Sequence, residues 1–148
     1  SVKGVQVLNG DATYMFSGYA GRWIPDTPAR RRAIMHNLRG WHRFDPSNPV
    51  KGIVTAIRTF YSPDKKISLY IFGDDFKGGS MDEVIDTVDR INREYASGNR
   101  LVRIHAVGFP VVITADPSQQ ASGLRFANLM RKLTHRNGGT FVGLNDFR

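Results

Sequence analysis

The chain has 148 residues, no cysteine and a formal charge of +8. That length suits one domain able to bury about 70% of its unfolded surface without staples. The missing cysteines exclude disulfides, thiolate zinc sites and cysteine nucleophiles together. No apolar run reaches the ~18 residues of a membrane span.

The start Ser1-Val2-Lys3-Gly4 carries no initiator Met and no signal-peptide pattern, so the sequence reads as a piece of a longer protein. Cytoplasmic residence is the slight preference, with the compartment left open. Residues 1–43 hold seven basic and two acidic groups (+5), residues 44–98 seven and nine (−2), and residues 99–148 seven and two (+5). Basic ends can steer anionic partners, nucleic acid included. Arg30, Arg31 and Arg32 are the candidate anion-facing residues, with a solvated arginine face as the plainer alternative.

In chain order, 4–8 and 12–16 read as two short strands joined at Asn9-Gly10, a hairpin signal. Thr27 caps and Pro28 opens a first helix with Ile34, Leu38 and Trp41 on one face. Ser47 or Asn48 then caps a second helix, opened by Pro49, whose buried stripe is Val50, Ile53, Val54, Ile57 and Phe60. Next comes Ile67-Ser68-Leu69-Tyr70-Ile71-Phe72, a nearly unbroken apolar strand of the kind covered by helices on both faces. It ends in Asp74 and Asp75, placed where open α/β sheets bind ligands. A solvated loop leading into the next helix is the other reading of these carboxylates.

Ser80 and Glu83 form the capping box of a third helix with Val84, Ile85, Val88, Ile91 and Tyr95 inward, stopped at Ser97-Gly98-Asn99. Leu101 to Gly108 is a further strand. A fourth helix runs from about Gly123 to Asn137-Gly138-Gly139, with Phe126, Met130 and Leu133 inward, and Thr140 to Leu144 closes as a strand. The alternation of strand and helix predicts an α/β domain with a mostly parallel sheet, helices on both faces and the hairpin at one edge.

Three stretches in this order resemble the von Willebrand factor type A family, from residue 4 to residue 144. They are Ile71-Phe72-Gly73-Asp74-Asp75, then Ser47-Asn48-Pro49-Val50-Lys51-Gly52-Ile53-Val54-Thr55-Ala56, and Ile104-His105-Ala106-Val107-Gly108 followed by Asn137-Gly138-Gly139-Thr140-Phe141. The resemblance implies a three-layer, Rossmann-like domain that binds another protein without catalysis. It also implies a Mg²⁺ site at Asp74 and Ser47, with Asn48, Asp75 and Gly108 on the partner-binding rim. For Ser47 a plain helix cap is the alternative reading, and the one preferred over metal ligation.

The family's Asp-x-Ser-x-Ser motif on a first central strand is missing, so the Mg²⁺ site is expected to be degenerate or incomplete. Its absence leaves a slot beside Ile67 to Phe72, to be filled by preceding residues, by a second chain with self-association one form of this, or by an inward shift of the hairpin. The run from Val111 to Gln120 offers a strand followed by Asp116-Pro117-Ser118, but Gln120 breaks the motif and Asp116 reads as a turn residue.

The residues also admit two other classes. One is a Mg²⁺-dependent phosphoryl-transfer or nuclease site on Asp74 and Asp75; the other is nucleic-acid binding through the basic faces. The four histidines show no metal spacing, and neither a Gly-x-Ser-x-Gly elbow nor a phosphate-cradling Gly-x-x-x-x-Gly-Lys loop occurs.

Overall fold

The computed structural model describes residues 1–41, 48–110 and 116–144. Its elements are β1 (Gly4–Val5), β2 (Ile24–Pro25), α1 (Pro28–Leu38), α2 (Val50–Phe60), β3 (Ser68–Gly73), α3 (Met81–Ile91), β4 (Arg103–Gly108), α4 (Pro117–Arg136) and β5 (Phe141–Gly143). The domain is mixed α/β. β3, β4 and β5 form a parallel sheet in that order, with Ser68 opposite Arg103, Gly73 opposite Gly108, and Gly108 opposite Gly143.

The helices follow from their punctuation and spacing. The Thr27 side chain accepts from Arg30 N at the start of α1, and the Ser80 hydroxyl accepts from Glu83 N at the start of α3. α4 begins six residues before the expected Gly123, because Asp116 caps it through Ser118 N at 2.7 Å and Pro117 fits its first turn. Ile53, Ile57 and Phe60 of α2, Val84, Ile85 and Val88 of α3, and Phe126, Leu129, Met130 and Leu133 of α4 are buried. Except for Phe60, they join Ile71, Phe76, Ile104 and Ala106 in one core cluster. Each large aliphatic or aromatic side chain buried there contributes about 1.5–3 kcal/mol.

That core lies on one side of the sheet. Along β4, Ile104, Ala106 and Gly108 are buried while Arg103 is exposed, and along β3 Ile71 is buried while Tyr70 and Phe72 are 57% and 62% exposed. The expectation of helices on both faces is therefore corrected: β3 is apolar on both faces but covered on one. α1 does not supply the second layer. It has no buried residue, and Met35 and Leu38 of its apolar positions stand in solvent.

The hairpin is also placed differently. An antiparallel bridge joins Leu8 to Tyr14 around Asn9-Gly10, with Met15 N donating to Val7 O at 3.0 Å, but it does not border the parallel sheet. β1 pairs instead with β2, and Gln6 Nε2 holds Tyr19 O and Arg22 O at 2.9 and 2.6 Å. This segment rests on α2: the Trp23 and Tyr14 rings meet Phe60 at 4.8 and 6.4 Å, and Gly52 N donates to Gly10 O at 2.8 Å.

Two fully buried asparagines lock the opposite end of the sheet. Asn92, the C-cap of α3, gives its amide N–H to Val102 O (2.9 Å) and Asn137 Oδ1 (2.8 Å), and its Oδ1 accepts from Val102 N (2.9 Å). Asn137, the C-cap of α4, returns Nδ2 to Leu133 O at 2.7 Å and offers its carbonyl to Ile104 N at 3.3 Å. After it, Gly138 takes φ +67°, Gly139 N bonds Thr134 O at 2.9 Å, and any Cβ on Gly139 would fall 1.8 Å from Ile104 O. Around this knot Asp89 lies between Arg100 and Arg136; Arg136 hydrogen-bonds Oδ2 at 2.6 Å, whereas Arg100 is an ion pair at 2.9 Å without hydrogen-bond alignment.

Because α3 stops at Ile91, Tyr95 falls in the following turn and is fully exposed rather than on the helix's inner face. Truncating Asn92 strands the Val102 N–H and the side-chain Oδ1 of Asn137 in a dry interior, at about 1–3 kcal/mol each. Asn92→Ala should therefore lower unfolding free energy by about 3 kcal/mol in urea titration; a loss below about 1 kcal/mol would show that the asparagine pair does not hold this end.

Candidate functional site

The parallel register brings Gly73, Gly108 and Gly143 level, so the loops after β3 and β4 leave the sheet at one rim. Phe109 N donates to Gly73 O at 2.8 Å and Leu144 N to Gly108 O at 2.9 Å, which hold the strand ends together. Behind the acidic pair, Phe76 is wholly buried and its N–H bonds Ser122 O of α4 at 3.1 Å. Arg125 of α4 lies over the Phe76 ring at 5.1 Å and gives Nη2 to Gly78 O and Gly79 O at 3.2 and 2.7 Å. The loop carrying Asp74 and Asp75 is thus pinned at its far side.

Asn48 reaches the same rim from the start of α2. Its Oδ1 accepts from Val50 N at 3.0 Å, and its side chain lies against Gly78 so closely that a Cβ there would come within 2.8 Å of Nδ2. Asn48, Asp74, Asp75 and Gly108 are therefore at one end of the molecule. Ser47 lies outside the described residues, as do residues 111–115, where the run from Val111 offers a strand.

The electrostatics of the rim are mixed rather than acidic. Asp75 pairs with Lys77 at 3.1 Å, while Asp74 is exposed and makes no hydrogen bond or ion pair among the described residues. Asp116, the expected turn residue, works as a helix cap; its carboxyl is held below the usual range by the backbone N–H and then the hydroxyl of Ser118, with Lys77 adding to the effect.

These donors do not suit Mg²⁺, which wants near-octahedral oxygens. Asp75 is neutralised by an ammonium, the oxygens of Asn48 and Asp116 serve as caps, and Asp74 is left as a single free carboxylate. No cluster of three metal-ligating side chains occurs among the described residues. An open cleft of about 520 Å³ lies beside the rim, lined by Gly10, Asp11, Asn48, Val50, Lys51 and Thr55 among others.

The arginine run has neighbours of its own. Arg31 clasps Asp26 through Nε and Nη2 at 2.6 and 2.5 Å, and Arg30 lies over the Tyr19 ring at 5.0 Å. Arg32 alone of the three has no partner among the described residues. Neither the asparagine pair nor the Asp116 cap was singled out from sequence; Asn92 lacked a signal, because the helical spacing carried on to Tyr95, whereas Asp-Pro before a helical stretch is a legible start.

The Arg31 hydrogen bond, then its charge, holds the Asp26 carboxyl below its ordinary 3.8. A carboxyl depressed in the fold contributes stability in full above its unfolded value and loses it as pH falls through the lower folded value. Urea melts should therefore be flat from neutrality to about pH 4 and weaken below it. Asp26→Asn should lower stability at neutral pH and flatten that acid slope, and a variant with an unchanged slope would refute the assignment. Among the described residues, no helix is long and apolar enough to cross a membrane. Comparison of the chain with protein-family models, curated proteins and solved structures finds no significant match.

Proposed function

We propose that the chain is a non-catalytic protein-interaction module of the von Willebrand factor type A class. In this reading a partner protein docks on the rim formed by Asn48, Asp74, Asp75 and the loop after Gly108, and Mg²⁺ takes no part. The observation that carries it is the meeting of two loops distant in sequence, the start of α2 and the acidic turn after β3, at the ends of parallel strands. Such rims are where open α/β sheets present their binding groups.

The chemistry of the rim favours recognition over turnover. Paired catalytic metals need several carboxylates free to ligate, and here Lys77 occupies Asp75 and the loop after β4 begins Phe109-Pro110. A partner would meet one free carboxylate beside one ammonium, with the exposed Phe109 at hand. Nucleic-acid binding through Arg30 to Arg32 is the weaker reading, since Asp26 and Tyr19 already engage two of the three.

Titrating Mg²⁺ into the wild-type chain and into Asp74→Ala should leave both melting temperatures unchanged. A saturable rise in the wild type that Asp74→Ala removes would overturn the metal-free rim. Once a partner is in hand, Asp74→Arg should weaken its binding at least tenfold, about 1.4 kcal/mol, while exposed Leu124→Ala on α4 leaves it unchanged. The reverse pattern would move the interface away from the strand ends.

A further inference from the structure

The outer edge of β3 is unpaired among the described residues, since the sheet order is β3-β4-β5. Ile67 O accepts from Arg103 N and Gly73 O from Phe109 N, which fixes the odd-numbered main-chain groups of β3 toward β4. The N–H and C=O groups of Ser68, Tyr70 and Phe72 therefore point outward. Their side chains lie on the uncovered face, where Tyr70 stacks on His105 at 4.8 Å and Phe72 on Phe109 at 6.4 Å. An edge of this kind, left open among the described residues, is a template for another strand.

We infer that the occupant of this edge is β3 of a second copy of the chain, paired antiparallel about a two-fold axis through Tyr70. Of the registers open to two such edges, this one alone engages all three outward residues: Tyr70 faces Tyr70, and Ser68 faces Phe72. The same register sets Lys66 of one copy opposite Asp74 of the other, twice over. Both side chains are exposed and neither has a partner among the described residues. Opposite charges facing across strands stabilise a pair and like charges weaken it. Charge and main-chain geometry thus select one register independently.

A single strand pair buries less than a standard interface, so the association belongs to the weak class. It goes beyond the proposed rim and shares one residue with it, Asp74, while Lys66 and Tyr70 belong to the strand pairing alone. The product is a continuous six-stranded sheet with α2, α3 and α4 of both copies on one side and the aromatic faces of both copies merged on the other.

Sedimentation equilibrium of the chain at concentrations up to about 1 mM should show a monomer–dimer equilibrium that weakens with salt. Lys66→Glu alone and Asp74→Lys alone should each raise the dissociation constant about tenfold, and the double charge swap should restore it, with circular dichroism unchanged throughout. Since the chain has no native cysteine, Tyr70→Cys should give a covalent dimer under mild oxidation, whereas Ser97→Cys in the exposed turn should not. A chain that stays monomeric over that range, a double swap that fails to rescue, or equal cross-linking of the two cysteine variants would each overturn the inference. Lys66→Glu, which leaves the rim untouched, should weaken dimerisation with rim binding intact, and this separates the inference from failure of the proposed function.

Discussion

The order of this fold rests on a polar contact inside an apolar core. A parallel sheet needs a helix between each pair of strands, and each helix must end where the next strand begins, leaving carbonyls that a dry interior cannot satisfy. Asn137 takes the Leu133 carbonyl of α4, Asn92 pairs both main-chain groups of Val102 ahead of β4, and the two amides bond to each other, so the ends of α3 and α4 and the start of β4 become one unit. With that end tied, the opposite strand ends can carry loops whose shape is set by other demands. Arg125 and Phe76 restrain one of those loops without sealing it.

The second constraint is the single helical layer. Parallel strands are ordinarily covered on both faces, yet Tyr70 and Phe72 stand open while Ile71 between them is buried. The inferred strand pairing satisfies the open main-chain edge of β3 and leaves this aromatic face uncovered. An aromatic face of this kind is costly to leave in water and a hazard for aggregation, which is a physical reason to expect an occupant.

Much of the architecture was legible in the residues. The stripe Ile53, Ile57 and Phe60, the capping serine Ser80 and the stop Asn137-Gly138-Gly139 each act as their types and spacings predict, because local chemistry decides them. Coverage of a strand is different. The alternation in Ser68 to Gly73 is apolar on both sides, and no pattern within the strand distinguishes a face awaiting a partner from one already packed. The rim was legible in part: Asp74, Asp75 and Asn48 do share one end, but the pairing of Asp75 with Lys77 depends on a loop geometry that sequence spacing does not report. The end of α3 shows the same limit, since Tyr95 continues the helical spacing while a tertiary contact of Asn92 stops the helix earlier.

The way residues 1–26 are fastened has its own implication for cooperativity. Their anchors to the rest of the chain include the Phe60 ring, the Gly10 to Gly52 bond and the exposed Asp11–Lys51 ion pair, all on α2, and their strands share no ladder with the parallel sheet. A segment held in this way can detach as a separate foldon, at a free energy well below that of global unfolding. The amides of Val5 and Met15 would then exchange with solvent through a smaller opening than those of Ile104 and Ala106, so the molecule would melt from its periphery inward.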